Sequence, residues 1–263
     1  KKINIFNNFN NFNKIFKNKI NYTMSSISGL DGLKPTLDII KFTEKIAIAN
    51  KESIICGWNL INKKLIKYKT TFIPVDSEHF SIWSLINNSN NNTIDEIVIT
   101  ASGGPFLKMP VKNLKNVTIS QALKHPNWNM GKKISIDSAT MMNKVFEVIE
   151  AQKIFNMPIK KFKILIHPSS YLHAIVKFNN GLVKMLIHDT TMSIPIFNSI
   201  NDNDKIKTNK IDYSILNNLS LSLVSKEKFP SIKILESLDS RNSLYETAIV
   251  SVNDELVNLF INK

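Results

Sequence analysis

The chain has few of the residues on which disulfide-bonded, nucleic-acid-binding and membrane-spanning proteins depend. Cys56 is its single cysteine, which excludes a disulfide framework and fits a reducing compartment or an organelle interior. Arg241 is its single arginine. This argues against a nucleic-acid-binding protein, because such proteins favour arginine for bidentate contacts to bases and phosphates. Every apolar run is interrupted well before the roughly 20 residues of a membrane helix. We therefore expect a globular protein with no membrane span.

The positive charge is large but dispersed. The formal net charge is +13, and lysine and asparagine occur in almost every segment, which is typical of an AT-rich genome. A nucleic-acid or membrane-surface module would need a concentrated lysine stripe with exposed aromatic residues. We therefore expect neither partner, while the charge would attract an anionic substrate. The hydrophobic content of 43% is enough for one or two cores.

From Met24 onward, short β-like runs alternate with amphipathic stretches, which is typical of an α/β domain with a largely parallel sheet. A hairpin around Asn179-Asn180-Gly181 makes the expected sheet mixed. One long helix is expected to be capped by Asp137 or Ser138 and to run to about Phe155. The other expected strands are 46–49, 71–75, 96–100, 163–167, 173–178 and 182–188, and the other helices are 52–67 and 80–87.

The two ends of the chain differ from the middle in composition and in the pattern of their apolar residues. Residues 1–23 contain no acidic residue and carry apolar residues at helical spacing, which suits a targeting peptide or a poorly patterned helix of a truncated domain. We favour the truncated domain. Residues 201–218 are polar and predict a linker before a helical segment that begins at about Ser231.

Two carboxylates follow the expected strand at 71–75. Asp76 and Glu78 are two residues apart, so an extended backbone would point both side chains to the same side. Ligands of α/β sheets lie beyond the carboxyl ends of strands, and carboxylate oxygens suit a hard divalent cation. The alternative is a helix N-cap with acids at the positive end of the dipole, and taken alone that alternative is the better one.

The next strand ends in Ser102-Gly103-Gly104. Paired glycines can present backbone N–H groups, and Ser102 a hydroxyl, to an anion such as a phosphate. A Ser-Gly-Gly sequence is more often an ordinary turn.

The long helix is apolar nearly all round, which predicts that it is buried. Asn143, Lys144 and Glu147 lie within it, and buried charges persist only when they are paired, metal-bound or facing a polar cavity. One interpretation is a structural Lys–Glu pair. The other is a phosphate held by Ser138, Asn143 and Lys144, with Ser138 at the helix N-terminus and Glu147 as a third metal carboxylate.

Residues 125–131 predict a loop that carries His125 and Trp128. A histidine can donate to a substrate oxygen, and a tryptophan can cover a site and exclude water. A surface histidine beside a packed tryptophan is the ordinary alternative.

These segments together resemble the 1-deoxy-D-xylulose 5-phosphate reductoisomerase family. The resemblance rests on ordered motifs and extends from about Asn21 to the C-terminus, becoming loose after about residue 195. Val145 and Phe146 depart from the family pattern, as does Ala101, but no expected ligand is lost. The motifs are 49–53, 74–79, 102–106, 125–131 and 136–144.

The resemblance implies an enzyme that rearranges its sugar phosphate with Mg²⁺ or Mn²⁺ and reduces the product with NADPH, giving 2-C-methyl-D-erythritol 4-phosphate in non-mevalonate isoprenoid synthesis. Carried over by motif, the metal ligands are Asp76, Glu78 and Glu147, and the catalytic residues are Lys51, Glu78 and His125. The NADPH contacts are Asn50, Glu52 and Gly131. The substrate contacts are Lys51, Ser77, Glu78, Ser102, His125, Trp128, Met130, Ser138, Asn143, Lys144 and Glu147.

The resemblance also implies the domain organisation. Residues 1–75 match the remnant of a doubly wound NADPH-binding domain, 76–200 a mixed-sheet catalytic domain, and 201–263 a linker with the start of a helical C-terminal domain. None of the seven glycines forms the family's Gly-rich nucleotide loop, so we expect NADPH turnover below that of a complete member. The alternative function is an inactive fragment that still binds metal and phosphate. We expect a homodimer, in a plastid of apicoplast type or in a bacterial cytoplasm.

Overall fold

The computed structural model describes residues 3–6, 8–9, 11–87, 89–200, 205–208, 212–217, 219–238 and 243–262. The chain forms two compact units, Lys1–Val75 and Asp76–Lys263. The part of the predicted linker at 201–204, 209–211 and 218 lies outside the described residues, as does Arg241. Among the described residues, no helix has the length and apolar character needed to cross a membrane.

The first unit is built on a parallel sheet of order β1-β2-β3. Its longest helix is capped by Asn50, whose Oδ1 accepts a hydrogen bond from Ser53 N at 2.6 Å, and ends at Lys69 in the left-handed conformation. Buried isoleucines of β2 and of this helix form the core. The elements are α1 (Phe12–Ile15), β1 (Ile20–Ser25), α2 (Leu33–Ile39), β2 (Thr43–Ile48), α3 (Lys51–Tyr68) and β3 (Thr71–Pro74), with 3-10 turns at Leu30–Gly32 and Ile40–Phe42.

The helix expected near the N-terminus is present only as α1. Ile20, which matches the helical spacing, instead begins β1 and pairs with Thr43 of β2. The extended conformation at Ile20 depends on parallel pairing with β2, which is distant in sequence, so the local spacing of apolar residues could not predict it.

The second unit contains a five-stranded mixed sheet of order β7-β6-β4-β5-β8, in which only β4 and β5 run parallel. The expected α/β class with a mixed sheet is therefore confirmed. Gly181 has φ +83° at the hairpin turn. The strands are β4 (Ile94–Ala101), β5 (Phe162–Ile166), β6 (Leu172–Phe178), β7 (Val183–Ile187) and β8 (Ser222–Leu223).

The helices of this unit cover the sheet and extend toward the C-terminus. Buried residues of β4, β6 and α7 share one apolar core with Ile82 of α4. The helices are α4 (Ser77–Ile86), α5 (Ile119–Ala122), α6 (Lys132–Ala139), α7 (Met142–Phe155), α8 (Ser193–Ile200), α9 (Ser214–Asn217), α10 (Ile234–Ser237) and α11 (Tyr245–Ile261), with 3-10 turns at Asn91–Thr93, Val111–Asn116, Ile159–Lys161 and Pro230–Lys233.

The single helix expected from Asp137 or Ser138 to Phe155 is wrong, because α6 and α7 are separate helices. Thr140 Oγ1 donates to the carbonyls of Ile136 and Asp137 at the end of α6, and Met141 follows with φ +65°. The side chain of Met141 is fully buried, so packing offsets a conformation that a non-glycine residue rarely adopts. Ser138 consequently lies in the last turn of α6 and not at a helix N-terminus.

Candidate active site

Three carboxylates from α4 and α7 meet at one place. Oxygen atoms of Asp76, Glu78 and Glu147 all lie within 4.8 Å of one another. Asp76 is also the N-cap of α4, since its Oδ1 accepts from Glu78 N at 3.2 Å. Asp76 therefore caps a helix and also belongs to the carboxylate cluster, so the two interpretations do not exclude each other. Oxygen donors at this spacing are the ligand set that Mg²⁺ and Mn²⁺ prefer.

Lys144 lies between two of these carboxylates. Its Nζ donates to Glu78 Oε1 at 2.8 Å and to Glu147 Oε2 at 2.6 Å, and the side chains of Lys144 and Glu147 are only 10% and 1% exposed. Burial opposes the charge of Lys144, but the carboxylates of Glu147 and Glu78 outweigh it and raise its pKa. The structural Lys–Glu pair is thus present, and its single positive charge offsets part of the negative charge of the three carboxylates.

Asn143 completes the hydrogen bonds of Glu147. Its Nδ2 donates to Glu147 Oε1, so each carboxylate oxygen has a donor from the first turn of α7. On the α4 side, Ser77 Oγ donates to Glu78 Oε2 at 2.7 Å. These bonds fix the orientation of both carboxylates before any ligand binds.

His79 and Glu150 lie next to the carboxylate cluster, and neither was predicted as a site residue. His79 is fully buried, and its Nε2 donates to the carbonyl of Glu147 at 2.8 Å. Its Nδ1 lies 3.3 Å from Asp76 Oδ1 and 3.6 Å from Glu150 Oε2. The signal available in the sequence was the position of His79 directly after Glu78.

Ser102 and His125 form a second polar group. The backbone N–H groups of Trp128 and Asn127 donate to His125 Nδ1 at 2.9 and 3.2 Å, so the neutral ring carries its proton on Nε2. Nε2 donates to Ser102 Oγ at 3.0 Å, and Gly104 N donates to the same oxygen at 3.1 Å. The hydroxyl proton of Ser102 is used in neither of these two bonds. Burial, followed by the charge of Lys144, lowers the pKa of His125 to about 4.

The Ser-Gly-Gly turn packs against the end of α6. Gly104 has φ +65°, and a Cβ there would lie 2.7 Å from the carbonyl oxygen of Ser138. This close approach brings the Ser-Gly-Gly turn against the backbone of Ser138. The helix N-terminus expected at Ser138 lies instead at Met142, so Asn143 and Lys144 occupy the first turn. The positive end of the α7 dipole is at that turn.

The 125–131 loop is held at two points. Asn127 Nδ2 donates to Pro168 O at 2.6 Å and to Ser170 Oγ at 2.7 Å. The Trp128 indole meets the buried His173 ring edge-on at 6.3 Å. Met130 is half-buried, and the exposed Gly131 is the N-cap of α6.

The remaining predicted residues belong to the first unit. The side chain of Asn50 is engaged there, because its Nδ2 donates to the carbonyls of Gly29, at 2.8 Å, and Ile27. Lys51 and Glu52 are half-buried in the first turn of α3. Their roles toward substrate and NADPH stay predictions.

Comparison with known proteins gives consistent matches. The model of the 1-deoxy-D-xylulose 5-phosphate reductoisomerase family matches residues 1–57, and that of its C-terminal domain matches residues 72–155. The enzyme of this name from Pelagibacter ubique is 65% identical over 99% of the chain, and one from a Sulfurihydrogenibium species is 38% identical over 91%. The chain spans 68% and 64% of these two relatives.

Solved structures agree with the sequence matches. The Zymomonas mobilis reductoisomerase in complex with NADPH has a TM-score of 0.81 at 34% identity, covering 92% of this chain and 63% of its own. A reductoisomerase in complex with NADPH, fosmidomycin and magnesium has a TM-score of 0.85 at 31% identity, covering 92% and 62%. The relatives are bacterial, so the expected plastid location is not supported. The chain belongs to the 1-deoxy-D-xylulose 5-phosphate reductoisomerase family.

Proposed function

We propose that this chain carries the catalytic site of a bacterial, cytoplasmic 1-deoxy-D-xylulose 5-phosphate reductoisomerase. The reaction is the metal-dependent rearrangement of that sugar phosphate and its NADPH-dependent reduction to 2-C-methyl-D-erythritol 4-phosphate. The convergence of Asp76, Glu78 and Glu147 is the observation that carries this proposal, and the Ser102–His125 hydrogen bond adds to it.

Asp76, Glu78 and Glu147 would hold the divalent cation, Mg²⁺ or Mn²⁺. A bound cation polarises the carbonyl and hydroxyl oxygens of a substrate. The carboxylates fit it, because they are closely spaced, hydrogen-bonded and supported by His79 and Glu150. Lys144 neutralises part of their charge in the metal-free chain, and a cation there would release its ammonium for an anionic ligand.

The substrate phosphate would lie between the Ser-Gly-Gly turn and the start of α7. Ser102 has a hydroxyl proton to donate, the backbone of Ser138 packs against Gly104 of the same turn, and Asn143 and Lys144 lie in the first turn of α7. A phosphate is favoured where the positive end of a helix dipole and a positively charged side chain coincide. The helix dipole at this place is that of α7, which begins at Met142, and not that of a helix beginning at Ser138.

Two backbone N–H groups set the neutral tautomer of His125 with its proton on Nε2. Nε2 would exchange its hydrogen bond to Ser102 Oγ for one to a substrate oxygen. Trp128 and Met130 would cover the site and exclude water. Lys51 and Ser77 would contact substrate, with Lys51, Glu78 and His125 as the catalytic residues. Asn50, Glu52 and Gly131 would contact NADPH, whose role is to supply the hydride.

The homodimer also belongs to this proposal. The edge strand β7 and the residue before it expose the apolar side chains of Leu182, Val183 and Met185. An exposed apolar strand edge is a surface on which a second copy can pair. Sedimentation of the purified chain over a range of concentrations would test this.

Isothermal titration and product analysis together test the function. We expect the chain to bind Mg²⁺, and to bind fosmidomycin more tightly when Mg²⁺ is present. Glu147→Gln should weaken Mg²⁺ binding at least tenfold, while Glu255→Gln, on the exposed face of α11, should not. Conversion of the sugar phosphate with NADPH, followed by ³¹P NMR, separates an active chain from one that binds metal and phosphate without turnover. Absence of Mg²⁺ and fosmidomycin binding would overturn the assignment.

A further inference from the structure

Two buried histidines stack against each other in the second unit. His173 lies in β6, where the pairing with β7 is irregular, and His188 follows the end of β7. Their rings are 3.6 Å apart at 15°, and the residues are 1% and 5% exposed. The sequence motifs assigned no role to either one.

The hydrogen bonds of the stack determine where its protons are. His173 Nε2 donates to the carbonyl of His188 at 3.2 Å, and His188 Nδ1 donates to the carbonyl of Asp189 at 2.7 Å. A carbonyl only accepts, so both of these nitrogens carry protons. Burial, and then the charge of His188, lowers the pKa of His173 to about 3. Burial also lowers the pKa of His188. Both rings are therefore neutral near pH 7.

This arrangement leaves Nε2 of His188 as a bare acceptor. The atom is buried and has no hydrogen-bond partner among the described residues. Buried polar atoms nearly always have a partner, because an unpaired buried acceptor has lost its hydrogen bonds to water without replacing them. The atom therefore suits a donor supplied by a bound molecule.

The stack borders the candidate active site. The carboxylate of Glu78 acts electrostatically on His188, and the charges of Lys144 and Asp76 act on His173. Trp128 of the 125–131 loop contacts the His173 ring. Both rings thus lie within electrostatic range of the carboxylate cluster, and the His173 ring contacts the loop that would cover a ligand.

We propose that His188 is a further substrate-binding residue, whose Nε2 accepts a hydrogen bond from a hydroxyl group of the bound sugar phosphate. This inference rests on the proposed function. A bare acceptor favours a hydroxyl over a carbonyl or phosphate oxygen, because only the hydroxyl can donate. His188 would therefore discriminate a hydroxylated carbon chain from its deoxy counterpart.

The test compares 1-deoxy-D-xylulose 5-phosphate with its 3-deoxy and 4-deoxy analogues in titrations with Mg²⁺ present. His188→Phe keeps an aromatic ring in the stack and removes the acceptor. We expect it to bind the sugar phosphate about fivefold to tenfold more weakly, and to bind one of the deoxy analogues as the unaltered chain does. His167→Phe is the matched control, because His167 is equally buried but has partners at both nitrogens, Ser220 O and Ser169 Oγ.

Nitrogen-15 NMR of the unaltered chain gives a readout that does not depend on folding of a variant. The unprotonated Nε2 of His188 should shift on addition of the sugar phosphate and stay unchanged on addition of inorganic phosphate. If the sugar phosphate does not bind, the proposed function itself fails. If it binds while His188→Phe keeps the affinity and the discrimination, or the Nε2 signal does not move, a water molecule satisfies the acceptor and the inference is wrong.

Discussion

At the scale of single residues, Lys144 is a buried cation that depends on two ion pairs. Its ammonium group is buried between Glu78 and Glu147, so desolvation is offset only while both ion pairs are present. Removing the lysine leaves two neighbouring carboxylates with like charge and no cation. The same side chain is also the proposed source of positive charge for the phosphate.

We predict that Lys144→Ala lowers the free energy of unfolding by about 3–5 kcal/mol without metal, measured by urea denaturation. Mg²⁺ should restore part of this loss, because it neutralises the same carboxylates. The variant should also lose fosmidomycin affinity by well over tenfold. Lys67→Ala and Lys207→Ala, at exposed positions, should change neither quantity, and equal small losses in all three variants would indicate diffuse attraction instead.

The buried histidines predict how stability depends on pH. The pKa values of His125 and His173 are about 4 and about 3, below the 6.5 of an unfolded histidine. The unfolded chain therefore takes up protons first as the pH falls. This contribution to stability is complete above about pH 6.5 and is lost between that value and the folded pKa.

We expect His173 alone to lower the free energy of unfolding by about 2 kcal/mol between pH 7 and pH 5. Urea denaturation of the metal-free chain at several pH values measures this. His173→Phe removes the titrating group, so its stability should fall less steeply over the same interval. Equal slopes for the variant and the unaltered chain would show that His173 does not contribute.

At the scale of elements, the contact between the Ser-Gly-Gly turn and α6 sets the geometry of the proposed phosphate site. Gly104 combines a positive φ with a backbone contact at Ser138 that leaves no room for a side chain. Gly181 also has a positive φ, but a Cβ there would meet nothing within 4 Å. Comparing alanine substitutions at Gly104 and Gly181 therefore separates the energetic cost of a positive φ from that of the steric clash with the Ser138 backbone.

Gly104→Ala should destabilise the chain by about 2–4 kcal/mol, because it combines backbone strain at a positive φ with a steric clash that displaces the Ser138 backbone. Gly181→Ala should cost about 1 kcal/mol, from the conformation alone. Thermal and urea unfolding of both variants measure the difference. A cost at Gly104 no greater than that at Gly181 would mean that the turn moves away from α6 without penalty.

At the scale of the whole molecule, the candidate metal ligands all belong to the second unit. A ligand that binds only the folded state stabilises it by about 2.7 kcal/mol at 100 times its dissociation constant. Mg²⁺ should therefore raise the unfolding free energy, and hydrogen exchange should slow in α4 and α7. The sheet of β1, β2 and β3 serves as the internal control, and equal protection there would contradict a site confined to the three carboxylates.

Much of the fold could be read from the sequence because its signals are local. The strands at 71–75, 96–100 and 163–167 and the helix at 52–67 are observed with nearly the expected bounds, since period and capping residues act over a few positions. The break between α6 and α7 could not be read, because it depends on buried packing of Met141 and on hydrogen bonds of Thr140. Strand β1 was missed for a similar reason, since its pairing with β2 is made across the chain.

The sequence by itself determined the α/β class and the family, because residue type and order along the chain carry that information. It also predicted Asp76, Glu78 and Glu147 as metal ligands. Only the tertiary structure decided which groups meet. It places Lys144 between Glu78 and Glu147, His79 behind the cluster, and Ser138 at the end of one helix instead of the start of another. It also set the tautomers of His125 and His188, because a proton's position depends on the partner opposite each nitrogen, and those partners are fixed by the folded backbone.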